Sequence, residues 1–100
     1  MNTRILPGIF LITKTYYSKN GFYYFVFDFI VQGDHIKINC KERPSFNGHD
    51  PSVSKTHIYP SNDLCFVKGR EPRSQWEAEM RAKQWSEYIL EYRRTGKAQS

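Results

Sequence analysis

Cys65 and His57 are the pair in this chain whose types and spacing most directly suggest chemistry. They bracket the run Thr56-His57-Ile58-Tyr59-Pro60-Ser61-Asn62-Asp63-Leu64-Cys65-Phe66, where a turn-rich stretch separates the histidine from a cysteine between two apolar residues. A nucleophilic cysteine needs thiolate character, access and a group that manages developing charge. Lys68 and Arg70 would favour the thiolate, and Asp63 would oppose it. The turn at Pro60 to Asp63 could fold His57 back toward the sulfur. A buried structural thiol fits the same spacing. So does a zinc site, since Cys40, His49, His57 and Cys65 make two thiols and two imidazoles. No Cys-x-x-Cys or His-x-x-x-His pair anchors a metal, however, and none is expected. Cys-His-Asn protease chemistry finds no separate binding cleft in so short a chain.

The elements that must position this run are strands before it and one helix after it. Residues 9 to 17 are β-branched and aromatic and predict a first strand, closed by the hairpin signal Asn20-Gly21. Residues 22 to 31 predict a second, central strand covered on both faces, with Phe25, Phe27, Phe29 and Val31 on one of them. In the third, His35 to Lys41, Ile36, Ile38 and Cys40 alternate with polar residues, which assigns Cys40 to packing. From Arg43 to Lys55 periodicity is lost among turn residues, predicting a long irregular connection with a solvated His49.

Ser74 with Glu77 forms a capping-box pattern that opens a helix. Ala78, Ala82, Trp85, Ile89 and Tyr92 recur on one face of it, and Gly96 stops it. Trp76, Met80 and Leu90 fall on the opposite side. Either a bend brings them partly into the core, which is the expectation, or they form a patch for a partner. The reading is a single α+β domain over residues 1–100, an antiparallel meander sheet packed on a long C-terminal helix. Its ends, 1–8 and 97–100, are expected to be flexible.

Fifteen Lys and Arg against ten Asp and Glu give a net charge of +5. That favours an anionic partner, but the charges are spread along the chain and match no basic nucleic-acid-reading motif, so nucleic acid is not the expected partner. No apolar run is long enough to span a membrane. The amino terminus carries no apolar signal core, so a cytoplasmic location is expected, where both cysteines stay as thiols.

The run from His57 to Phe66 resembles the active-site segment of ubiquitin-conjugating (UBC-like) enzymes. There an H-P-N-x-Y turn leads to a catalytic cysteine flanked by apolar residues. His57 stands eight residues before Cys65, where that family has its asparagine, and Lys55 and Thr56 stand in place of its His-Pro. The chain is most similar to reduced bacterial members, which read H-x-Y-P-x-x-x-L-C and close an aromatic-rich helix with Thr-Gly, here Thr95-Gly96. Such proteins occur in antiphage operons beside cGAS-like nucleotidyltransferases (CBASS systems).

The resemblance implies a UBC-like fold with an irregular active-site loop. It implies that Cys65 takes the C-terminal glycine of that nucleotidyltransferase as a thioester and passes it to a lysine amine of a target protein. His57 would donate to the oxyanion, assist deprotonation or hold the loop, while Tyr59, Asn62 and Asp63 support it. No cofactor is implied. The alternative is a non-catalytic module of the same fold that binds a partner through its helix and aromatic surface.

Overall fold

The computed structural model describes residues 10–98. Three antiparallel strands, β1 (Phe10–Tyr17), β2 (Tyr24–Gln32) and β3 (His35–Glu42), form a meander in the order β1-β2-β3. A single helical turn, α1 (Val53–Thr56), and a long helix, α2 (Gln75–Thr95), follow. The expected α+β meander with a C-terminal helix is therefore present. The expected flexible end at 1–8 lies outside the described residues, as do 99 and 100.

Register explains the core. Ile12 pairs with Phe29 and Phe29 with Ile38, while Lys14 pairs with Phe27 and Phe27 with Cys40. These side chains share the sheet face toward α2, and Phe25, Phe27, Phe29, Ile36, Ile38 and Cys40 are buried there. Each fully buried phenylalanine contributes about 2 kcal/mol. Trp85 of α2 stands edge-on to both Phe25 and Phe27, with ring centroids 6.0 Å away in each case. Ala78 and Ala82 let the first half of the helix approach closely, and Ile89 and Tyr92 complete the predicted stripe.

The opposite sheet face is less covered than its sequence suggested. Tyr24 is exposed and Val26 and Ile30 are only half-buried. Asp28 is buried on that face because Thr13 donates to its carboxylate and Lys41 lies 3.5 Å from it. The first hairpin also differs from a two-residue turn. Asn20 accepts from the Phe22 backbone N–H through its side chain, so pairing with β1 resumes only at Tyr24.

At the start of α2, Ser74 accepts from the Glu77 backbone N–H at 3.0 Å. Glu77 reaches back to the N–H of Arg73, one residue beyond the reciprocal partner of a standard capping box. Gly96 closes the helix at φ 70°, with its N–H on the Tyr92 carbonyl. Trp76 is 73% exposed and Met80 is exposed too, so no bend carries them inward, whereas Leu90 packs against the core.

Candidate functional site

The run singled out in the sequence folds back on itself and docks on the outer edge of β3. The Asn62 backbone N–H donates to the Tyr59 carbonyl at 2.8 Å, closing a turn over Pro60 and Ser61 in which Asn62 takes φ 72°. The Tyr59 N–H donates to the Asp63 carbonyl at 2.9 Å and the Cys65 N–H to the His57 carbonyl at 2.8 Å. Ile58 and Leu64 thus pair as an isolated antiparallel bridge. Two further bonds, Cys40 N–H to the Asn62 carbonyl and Leu64 N–H to the Ile38 carbonyl, attach this small hairpin to β3. Those backbone groups would otherwise be unpaired along an open edge.

Alternation then sorts the side chains. Ile58 and Leu64 turn into the core, while Tyr59 and Cys65 lie on the other side, Cys65 only half-buried. The Cys65 Sγ and the Tyr59 hydroxyl are hydrogen-bonded at 3.2 Å, a diagonal contact across the hairpin. That hydrogen bond with Cys65, together with the electrostatic interaction between the two groups, raises the Tyr59 phenol above its ordinary range.

His57 and Cys65 are brought together through the backbone. His57 occupies the left-handed conformation, φ 58°, that ends α1, and its N–H donates to the Val53 carbonyl. Its ring lies against Tyr88 of α2, with centroids 5.4 Å apart. The side chain at the sulfur is Tyr59, a role that spacing alone did not reveal.

Asp63 is held by β3. It accepts from Asn39 Nδ2 at 2.9 Å and from the Ser61 hydroxyl at 3.0 Å, and pairs with Lys37 Nζ at 3.2 Å. Burial works to raise its carboxyl, but the bonds from Asn39, Lys37 and Ser61 outweigh it and hold the group below the usual carboxylate range. Asp63 is thus a fixed brace for the turn, and Asn62 contributes its backbone conformation.

The chain leading into the site is fastened by α2. Trp85 Nε1 donates to the Thr56 carbonyl at 2.8 Å, the Tyr88 hydroxyl to the Lys55 carbonyl, and the Tyr92 hydroxyl to the Asp50 carbonyl at 2.6 Å. These three aromatic donors, spaced along one side of the helix, hold a connection whose sequence read as irregular. The one helical turn within it, and the buried Phe46, went unread for the same reason. Nor is His49 solvated: its ring meets Tyr92, with centroids 5.7 Å apart, and its Nε2 lies 3.1 Å from the Arg93 carbonyl, under the end of α2.

Cys40 faces the core as expected, and burial is the main cause of its thiol being pushed up to about 12. With Cys40 in the core and His49 under α2, the four-ligand set does not assemble. Among the described residues no group of three His, Cys, Asp or Glu gathers to hold a metal. No helix among them is long and apolar enough to cross a membrane. Comparison of the chain with protein-family models, curated proteins and solved structures found no match.

Proposed function

We propose that this protein is a cysteine-dependent acyltransferase of ubiquitin-conjugating type. Cys65 takes the activated C-terminal glycine of a cGAS-like nucleotidyltransferase and hands it to a lysine amine of a target protein. The carrying observation is the half-exposed Cys65 on a braced hairpin, its sulfur 3.2 Å from the Tyr59 hydroxyl. In the first step the sulfur attacks the glycyl carbonyl and an S–C bond forms. The bond from that carbonyl to the activating group breaks, and the activating group leaves with the electron pair while the thiol proton passes to solvent. In the second the amine attacks the thioester, a C–N bond forms, and Cys65 recovers its thiol as the amine loses a proton.

Both steps pass through a tetrahedral oxyanion, for which a well-placed donor is worth about 3 kcal/mol. The contact between Tyr59 and the sulfur supports the phenol in that role. The packing of His57 on Tyr88 supports the histidine as an organiser of the loop.

The test is a gel run with and without thiol reductant after mixing the protein with the nucleotidyltransferase and an ATP-dependent activating enzyme. A reductant-sensitive adduct lost in Cys65→Ala and retained in Cys40→Ala is expected, and Tyr59→Phe should slow its formation about tenfold or more. A complex that persists in both cysteine variants, with no covalent species, would favour the second reading, a non-catalytic partner-binding module. The broad exposure of Trp76 on α2 is the observation that supports that reading.

A further inference from the structure

Two grooves share one wall, and the second of them adjoins the candidate site. The first, of about 340 Å³, lies beside the tip of the first hairpin, where Phe22 and Tyr24 face Arg43 and Arg93. The second, of about 390 Å³, has Arg43, Phe46, Val53, Ile58 and Tyr59 in its lining. Arg43 therefore lines both grooves, and Tyr59, whose hydroxyl touches the Cys65 sulfur, lines the second. The lining is largely apolar and aromatic.

Its charge is one-sided. Among the described residues, Arg43 is the sole charged one lining the second groove. In the first, Glu42 is the one acid among the described residues against Arg43 and Arg93, and it already accepts from the Tyr24 hydroxyl at 3.1 Å. The Arg43 guanidinium is held 3.8 Å over the Phe46 ring and spends one donor on the Pro44 carbonyl. A guanidinium with N–H groups to spare is chemically suited to a carboxylate. Phe22, at 84% exposure, has little packing of its own at the far end.

We infer that the two grooves together form one track that seats the acyl donor as an extended peptide, with an acidic side chain on Arg43 and apolar side chains against Phe46 and Phe22. The inference rests on the proposed acyl transfer, because it takes the track to lead the donor's terminal carbonyl to Cys65. It adds a substrate class: a C-terminal tail carrying at least one acidic residue upstream of the transferred glycine.

The probes are synthetic peptides ending in a glycyl thioester of 2-mercaptoethanesulfonate, with glutamate or lysine walked through the upstream positions. Acylation swaps one thioester for another, so the protein gains the peptide acyl group and mercaptoethanesulfonate leaves carrying the thiol proton. One glutamate peptide should acylate Cys65 with kcat/KM about tenfold above its lysine counterpart. Arg43→Glu should invert that preference and Arg43→Gln abolish it, each variant first checked for an unchanged circular dichroism spectrum. A preference that survives both variants while acylation proceeds overturns the track and leaves the acyl-transfer reading standing.

If no peptide acylates Cys65, binding of fluorescent carboxylate-ended peptides to Cys65→Ser decides. Binding of the glutamate form that needs Arg43 keeps a peptide-binding groove at Arg43 but removes the transferase reading, and with it the assignment of the bound peptide as an acyl donor. Binding that ignores Arg43, or none at all, removes both.

Discussion

The indole N–H of Trp85 on α2 donates to the carbonyl of Thr56 across 2.8 Å, in the interior of the protein. Thr56 ends α1 immediately before His57, so this one bond ties the core helix to the entrance of the candidate site. Replacing Trp85 by phenylalanine keeps an aromatic ring against Phe25 and Phe27 but leaves a buried carbonyl without its donor. The expected cost is about 2 kcal/mol from the orphaned acceptor, with a further loss from the vacated volume. Urea denaturation followed by circular dichroism checks it. A loss below about 0.5 kcal/mol would mean that the bond does not fasten the loop.

That bond also marks where the sequence stops being informative. Strands and helix were legible because Phe25, Phe27 and Phe29 alternate and Ala78, Ala82, Trp85 and Ile89 keep helical spacing, both local patterns. His57 and Cys65 were picked out from type and spacing around a turn, and Tyr59 from the family resemblance. The turn of α1, the burial of Phe46 and the docking of His49 under Gly96 were not legible. Each depends on α2, which lies dozens of residues further along the chain. No local periodicity records that Trp85, Tyr88 and Tyr92 will each find a carbonyl between Asp50 and Thr56. The pairing of Cys65 with Tyr59 was hidden likewise, because it follows from a diagonal across a hairpin whose register is set by β3.

His57 offers a test of backbone conformation. Its φ of 58° lies in the left-handed region, which costs a residue with a Cβ about 1 kcal/mol and glycine almost nothing. Both His57→Ala and His57→Gly lose the ring contact with Tyr88. The glycine variant should therefore be the more stable by about 1 kcal/mol, reversing the order found at ordinary positions. Thermal unfolding of the two side by side is sufficient. An alanine variant equal to or more stable than the glycine variant would show that His57 does not hold this conformation in solution.

The two thiols should separate cleanly under alkylation. Cys40 is 3% exposed, and burial, partly offset by Arg43 and by a bond to the Glu42 backbone, pushes its thiol up to about 12. Near neutral pH it is both protonated and out of reach, whereas Cys65 is half-exposed. Iodoacetamide on the folded protein should give a single adduct at Cys65. Cys40 should react at least about 100-fold more slowly until urea is added. Peptide mapping by mass spectrometry locates the adduct. Equal labelling of both cysteines without denaturant would place Cys40 outside a closed core.

Asp63 should make the hairpin sensitive to acid. Its folded carboxyl lies below the unfolded value because the bonds from Asn39, Lys37 and Ser61 outweigh the opposing effect of burial. A group with a depressed folded value contributes stability that is fully present above the unfolded carboxylate range. That contribution is lost as pH falls through the folded value, where the protonated acid gives up its pairing with Lys37. Asp63→Asn keeps a side-chain oxygen for Asn39 but removes the charge that Lys37 faces at 3.2 Å. The variant should therefore be less stable than the parent near pH 7, with the gap closing between about pH 5 and pH 2. Equilibrium unfolding of both proteins across that range measures it, and a gap that stays constant with pH would show that the charge on Asp63 does not brace the turn.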